Sequence, residues 1–452
     1  MLFALSLLLA VTVGCGRGST EADVAPEQAT YQDMTAEQFL QSVFARYRNA
    51  ESYRDSGRVR LSYQANGQSL SEVAPLSTWF DRNSLYVDAY DAHLRHTPSG
   101  FTAWITDPTT DNFDSQVVRT ASQPGRPTID ALLSDTVLRE RITAGLAGPP
   151  PQLEWLFAAE PMKLLFDGPF QIGYGKPTKV EQRDCITIIV QAEDDAYRFA
   201  IDQRSGVIRQ VELPTILAPM RFQTSNADNQ QATGPGQSIR LTLELAGATF
   251  ESPREQVSLS ELPRLPRYVS HFIPLPPDPP SPALDTRLSP IRVRDQGGRI
   301  TLTHRGLECD FTVLLVASDH PSDLASAANL IQWATVMPND MRGRIAVGLV
   351  VSEAAFRRLP RDCPVPLFLD VDNVIQKVMG VSTGELTVVD RDARIVWIQD
   401  GLPLDSVTQL GRIVGDLIDG VDVPTRLRQQ WQDDKTTYRA VLNAEIARQP
   451  QR

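Results

Sequence analysis

Phe311-Thr-Val-Leu-Leu-Val-Ala-Ser-Asp-His-Pro-Ser-Asp323 decides how the C-terminal half of this chain folds. Seven apolar or small residues in a row are the length of a strand buried on both faces. Ser318 to His320 ends the run. Pro321 suits the first turn of a helix, because its missing N–H has no acceptor there. Apolar residues then recur at helical spacing to Val336. The same alternation continues outward. Ile345–Val351 reads as a second buried strand, Ser352 to Leu359 as a helix, and Pro366-Leu-Phe-Leu-Asp370 as a strand before a helix ending near Met379. Leu386–Val389 and Ile395–Trp397 form a hairpin around Asp390-Arg-Asp-Ala393, and Leu404 to Ile418 is the last core helix. On the N-terminal side, Ile291–Arg294 and Arg299–Thr303 form a hairpin around Gln296-Gly-Gly298. Strands alternating with helices, closed by a hairpin, predict an α/β sandwich over residues 285–420.

Three stretches carry a resemblance to a known family. They are the apolar strand ending at Ala317, the run Pro364-Val-Pro-Leu-Phe-Leu-Asp370, and Gly380-Val381 followed by Val388-Val-Asp-Arg-Asp-Ala-Arg-Ile395. Together they resemble the thioredoxin-like family, in particular its membrane-anchored thiol–disulfide reductases and peroxiredoxin relatives. The resemblance implies a Cys-x-Pro-Cys dithiol after the first strand and a proline before the strand that faces it. Here Asp319-His320-Pro321-Ser322 stands at the dithiol and Gly384 at the facing proline. Exchange needs a thiolate and a resolving thiol; Asp319 and Ser322 can be neither. Asp319 reads as a helix N-cap, which suits the positive end of a helix. The five histidines are scattered, so neither a metal site nor a cofactor is expected. The resemblance places Cys309 and Cys363 at the end of the sheet away from the degenerate site. There they are either a structural disulfide or two buried thiols. Cys185 starts another strand and reads as a buried apolar residue.

The N-terminal half is of a different kind. Thr35-Ala-Glu-Gln38 is a capping box, followed by Phe39, Leu40, Val43, Phe44 and Tyr47 on one helical face. From Arg58 the period changes to two, with strands expected at Arg58 onward, Ser71–Arg82, Leu85–Ala92 and Phe101–Thr106. Helices are expected at Thr128–Ala147 and Leu153–Phe166. Strands resume at Cys185–Val190, Tyr197–Ile201, Val207–Leu213 and Ile239–Leu245. Helix, strands, helices, strands predict a curved antiparallel sheet with helices on its concave side, an α+β unit over residues 35–253. Arg183-Asp-Cys-Ile-Thr-Ile-Ile-Val190, Tyr197-Arg-Phe-Ala-Ile-Asp202, Ser205-Gly-Val-Ile-Arg209 and Tyr47-Arg-x-Ala-x-Ser-Tyr53 carry a resemblance to the Lol-type half-barrel of lipoprotein carriers and receptors. It implies an apolar cavity, for which Trp79, Phe80, Tyr86, Tyr90, Trp104, Trp155 and Phe157 are candidate lining residues. The segment Trp155 to Phe166 is the candidate lid.

Met1 to Gly14 has the length of a signal-peptide core, too short to span a bilayer. The small residue before Cys15 resembles the bacterial lipobox. That resemblance implies lipidation of Cys15, and Gly16 after it implies the outer membrane. Residues 16–34 read as a tether and 254–284, which hold Pro274-Leu-Pro-Pro-Asp-Pro-Pro280, as a semi-rigid spacer. Residues 421–452 read as a charged helical tail. The net charge of −11 argues against a nucleic-acid partner. Three functions are open at this level. The first is a lipid-anchored envelope protein binding lipid, lipoprotein or another protein. The second is a thiol–disulfide or peroxide reductase using Cys309 or Cys363. The third is a structural surface lipoprotein.

Overall fold

The computed structural model describes residues 34–65, 68–82, 84–121, 125–192, 195–217, 239–251, 260–288, 292–295, 300–302, 309–360, 362–370 and 380–449. Cys15, the apolar segment before it and the tether up to residue 33 lie outside them. So do residues 254–259 of the expected spacer, the Gln296–Gly298 turn and the helix expected before Met379.

The first sheet holds β1 (Tyr53–Ala65), β2 (Gln68–Asp81), β3 (Ser84–Ala89), β4 (Ala92–Thr97), β5 (Gly100–Ile105), β6 (Gln116–Thr120), β7 (Gln171–Tyr174), β8 (Thr178–Val180), β9 (Arg183–Gln191), β10 (Ala196–Asp202), β11 (Ile208–Leu213), β12 (Arg240–Thr249) and β13 (Arg267–Val269). Its order is β13-β6-β5-β4-β3-β2-β1-β12-β11-β10-β9-β7, with β8 also on β9. Every pairing is antiparallel except β13 with β6. Laid flat, the antiparallel strands would be roughly 50 Å across at ~4.8 Å per strand. Instead their apolar face and the helices form one core, from Phe101 on β5 through Leu61 on β1 to Ile188 on β9. The sheet therefore wraps around helix α1 (Ala36–Arg48), whose capping box forms as the sequence requires.

Several boundaries differ from the sequence expectation, each for a local reason. Leu85–Ala92 is not one strand: Tyr90 adopts φ 62° and turns β3 back as β4. The Tyr90 ring lies where a Cβ on Gly145 would stand, and its hydroxyl donates to Gly148 O at 2.5 Å. The Thr128–Ala147 helix is two helices, α2 (Ile129–Leu132) and α3 (Thr136–Thr143). Asp135 breaks it by capping α3, accepting from Leu138 N at 2.9 Å. The Leu153–Phe166 helix is also two, α4 (Pro151–Phe157) and α5 (Lys163–Asp167). Between them the Glu154 carboxylate accepts from Met162 N at 2.9 Å. Gly57 on β1 is required by close approach, since a Cβ there would lie 2.1 Å from the Leu76 carbonyl oxygen. Gly57→Ala is expected to lower stability by about 1–3 kcal/mol, measured by urea unfolding. Gly343→Ala, which meets nothing within 4 Å, is the control and stays within about 0.5 kcal/mol.

The second sheet holds β14 (Arg292–Asp295), β15 (Ile300–Leu302), β16 (Phe311–Ala317), β17 (Ile345–Val351), β18 (Leu367–Leu369), β19 (Glu385–Asp390) and β20 (Ile395–Asp400). Its order is β15-β14-β18-β17-β16-β19-β20. The β16, β17 and β18 strands run parallel, and β19 and β20 close the sheet as an antiparallel hairpin. Val313, Leu315 and Ala317 enter one core with α6 (Pro321–Val336) and α9 (Val407–Ile418); Leu314 and Val316 enter another. Burial on both faces is why the strand is a continuous apolar run. The connecting helices are α7 (Asn339–Arg342) and α8 (Glu353–Arg358).

Within the described residues of the expected spacer 254–284, β13 pairs with β6, and Phe272 and Ile273 are buried in the first core, so this part packs as an element of the fold. The charged C-terminal segment is helix α10 (Val423–Arg448), and it docks on both sheets. Val423 is buried in the core of the second sheet and Leu442 in the core of the first. Between them Arg428 donates to Leu284 O at 2.9 Å, and Trp431 Nε1 to Pro277 O at 3.1 Å. At the far end Tyr438 donates to Asp114 at 2.7 Å, and Glu445 accepts from Ser270 N at 3.0 Å. One helix about 39 Å long thus fastens both sheets and the proline-rich segment together. Asp114 belongs to a left-handed turn in which Asp111 to Ser115 all have φ near 50–60°. Each such residue costs roughly 1–2 kcal/mol. Arg267 and Tyr438 both hold Asp114, and Phe113 is buried against Phe272.

Candidate functional site

β16 delivers the chain to the start of α6, where Ser318 to Asp323 makes a closed hydrogen-bonded turn. Asp323 folds back to accept from Ser318 N at 2.9 Å and Ser318 Oγ at 2.5 Å. His320 Nδ1 lies 2.7 Å from Ser322 Oγ and accepts from Ser322 N at 3.4 Å. His320, not Asp319, is therefore the N-cap of α6. Asp319 is buried beside it, and its carbonyl oxygen accepts from Arg358. Pro321 takes the first helical turn, as the sequence indicates.

Gly384 closes the other side. Its N–H donates to Val316 O at 2.7 Å, and a Cβ on it would stand 3.3 Å from Asp323 Oδ1 and 3.6 Å from Asp400 Oδ1. With φ +95°, the position favours glycine on backbone grounds as well. The structure thus brings Asp323, in the turn at the head of α6, beside Gly384. No sulfur is among them. The Ser322–His320 contact does not make a hydrolytic site. The nearby carboxylate, Asp323, approaches the serine at 3.3 Å, whereas a triad needs it on the second imidazole nitrogen. Among the described residues, no group of three or more His, Cys, Asp or Glu is placed to hold a metal.

Among the described residues no disulfide joins Cys309 to Cys363. Cys309 precedes β16 and Cys363 precedes β18, and β17 runs between those strands. Two strand spacings are about 9.6 Å, beyond the ~7 Å Cα separation that a disulfide bridges. The seven residues of β16 also set Cys309 roughly 20 Å from the 319–322 turn at ~3.3 Å per residue. Burial pushes the Cys363 thiol up, away from the thiolate that redox chemistry needs. Cys185 is buried, as expected.

The seven aromatic residues proposed for a cavity separate into two sets. Phe80, Tyr90, Trp155 and Phe157 face the core. Trp79, Tyr86 and Trp104 alternate to the outer face, where Trp79 packs on Tyr86 and Trp104 stacks on His93. The inward set does not line an open concavity. Trp155 of α4 packs on Phe44 and Tyr47 of α1, and Phe157 on Phe80, so the protein's own helices fill the space.

Beneath α4 lies a polar cluster with no warning in the sequence. Asp55 Oδ1 accepts from Gly57 N at 2.9 Å and Thr78 N at 3.1 Å, and Oδ2 from Gln152 Nε2 at 3.4 Å. Burial outweighs these bonds and pushes the Asp55 carboxyl up to about 6. Around it, Thr78 Oγ1, Gln152 Oε1 and Trp155 Nε1 are buried without a hydrogen-bond partner among the described residues. Tyr53 stands beside it, its hydroxyl raised well above the ordinary value by burial and by the Asp55 charge. These residues are separated by up to 102 positions (Tyr53 to Trp155), and no local pattern links them.

No family model and no curated protein matches the chain. Solved structures are similar to part of it. The exposed lipoprotein thioredoxin Etrx1 of Streptococcus pneumoniae strain TIGR4 is 18% identical, over 27% of this chain and 98% of its own, with a TM-score of 0.24. A putative thiol:disulfide interchange protein DsbE of Chlorobium tepidum is 11% identical over 29% and 94%, with a TM-score of 0.25. The peroxidoxin BcpB of Mycobacterium tuberculosis is 16% identical over 30% and 96%, with a TM-score of 0.24. Each of these matches covers less than a third of this chain.

Proposed function

We propose that this chain is a lipid-anchored cell-envelope protein that works by binding a partner, with a thioredoxin-like half that carries no thiol–disulfide chemistry. The observation that supports it most is the turn at the head of α6. Its Asp319, His320 and Ser322 positions and the facing Gly384 are sulfur-free. The His320 and Ser322 side chains are hydrogen-bonded to each other, and Ser322 and Ser318 to Asp323. Exchange there has no nucleophile, and Cys309 and Cys363 stand at the opposite end of the sheet. Because α1 and α4 occupy the concave face, a partner meeting the outside of the molecule fits better than an acyl chain held within. Anchoring through Cys15 belongs to the same reading and rests on the sequence. No helix among the described residues is long and apolar enough to cross a membrane.

The experiment is insulin reduction and peroxide turnover by the full chain, beside Cys309→Ser and Cys363→Ser. The expected result is background turnover in all three. Turnover that either substitution abolishes would replace this reading with an oxidoreductase. Metabolic labelling with a palmitate analogue, lost in Cys15→Ser, tests the anchor separately.

A further inference from the structure

The outer face of the first sheet is charge-balanced on one side and not on the other. Along β1, β12, β11 and β10, Glu244 pairs with Arg58 and Arg60, and Glu212 with Arg240 and Arg198. The register then sets one continuous row across six strands: Arg54, Trp79, Tyr86, Arg95, Thr102, Arg119. Arg54, Arg95 and Arg119 are exposed. Among the described residues none of the three is in an ion pair, although the chain carries net charge −11. Arg95 lies over the Tyr86 ring at 5.3 Å, and Arg119 over Tyr268 at 3.6 Å. Such stacking orients a guanidinium while leaving its N–H groups open to an oxyanion.

A loop adds apolar weight to this face. Ser260 is tied to Asp88 of β3 at 3.2 Å, and the chain then crosses to β13 on the β6 edge. Along that crossing Pro263 is buried, while Arg264 is exposed without an ion pair among the described residues. Leu262 is 37% and Leu265 79% exposed. A leucine held out in water between two prolines gains nothing from the fold itself.

We propose that the Arg54–Arg119 row and the Leu262–Leu265 loop form a docking surface for an anionic phospholipid bilayer. Unpaired arginines complement headgroup phosphates. Tyr86 and Tyr268 have the apolar body and polar tip that settle at headgroup depth, and Leu265 can enter the acyl boundary. A nucleic acid would match the arginines but not the leucines, and a chain of this net charge would oppose its long phosphate backbone. Repulsion between the rest of the protein and the membrane is screened beyond about 8–10 Å at physiological salt. The surface is separate from the thioredoxin-like half and does not require lipidation of Cys15.

The test is carbene footprinting of side chains on the full chain, with vesicles of phosphatidylcholine alone or with about 30% phosphatidylglycerol. Footprinting localises contact, so attachment through the N-terminal segment does not register as contact by this face. Labelling of Tyr86, Leu262 and Leu265 is expected to fall at least about fivefold with anionic vesicles only, and to recover near 0.5 M salt. Arg54→Gln, Arg95→Gln and Arg119→Gln each raise the lipid concentration for half-protection by about fivefold, and together by about a hundredfold. Unchanged far-ultraviolet circular dichroism shows that these exposed variants still fold. Equal protection by neutral vesicles, or no protection by either, overturns the proposal. Equal protection by soluble glycerol phosphate or by polyglutamate overturns it too, the latter in favour of an acidic protein.

Discussion

Asp55→Asn is expected to make the protein more stable at neutral pH, by about 2 kcal/mol. The Asp55 carboxyl is raised from an ordinary value of 3.8 to about 6 in the fold, chiefly by burial. A raised carboxyl binds its proton more tightly in the folded than in the unfolded state. Stability therefore falls as pH rises from about 4 to 6, and the full penalty persists above that. A shift of about 2 units corresponds to roughly 3 kcal/mol at 1.36 kcal/mol per unit. Asparagine removes the charge and keeps an oxygen for Gly57 N and Thr78 N. It loses the long bond from Gln152, worth about 1 kcal/mol. The gain should appear above pH 6 and vanish below pH 4, read as the difference in unfolding free energy between variant and parent across that range. A difference that is the same at pH 4 and pH 8 would mean that Asp55 titrates at its ordinary value.

Leu442→Asp should release the C-terminal half of α10 from the first sheet. Leu442 is 2% exposed in the apolar core of that sheet. An unpaired carboxylate there, with the leucine packing gone, costs about 3–5 kcal/mol. Val423 and Leu427 still hold the other end of the helix on the second sheet. Amide hydrogen exchange should speed up in Tyr438–Arg448, in β13 and in the left-handed turn at Asp111–Ser115. The strands β16 to β20 should keep their protection. Equal loss in both sheets would mean that α10 is part of one cooperative unit rather than a strut between two.

Much of the second sheet was legible because its signals are local. The seven-residue apolar run, the proline at the helix start and the closing hairpin each depend on neighbours a few positions away. The absence of sulfur at Asp319 and Ser322 is equally local, since it holds wherever they point. The first sheet was legible only as a class. Period-two alternation gave the strands, but Leu85–Ala92 hid a turn, because Tyr90 is an unusual residue at positive φ and its ring fits only against Gly145. The aromatic set was half misread for a simple reason. Neighbouring positions on a strand face opposite ways, so Trp79 and Phe80 could never share a cavity, and only the register says which of them is inside.

By itself, then, the amino-acid order determined two units of different class, a sulfur-free turn at Asp319–Ser322 and the starts of most helices, since these follow from composition and short-range spacing. The tertiary structure decided what distance in sequence conceals. It put His320 rather than Asp319 on the helix cap and kept Cys309 apart from Cys363 with a strand between them. It gathered Asp55, Thr78, Gln152 and Trp155 beneath α4. It turned a charged tail into the strut that joins both sheets. It also aligned three unpaired arginines across six strands. Each of these depends on pairing register or on packing between distant segments, and neither is written in any local pattern.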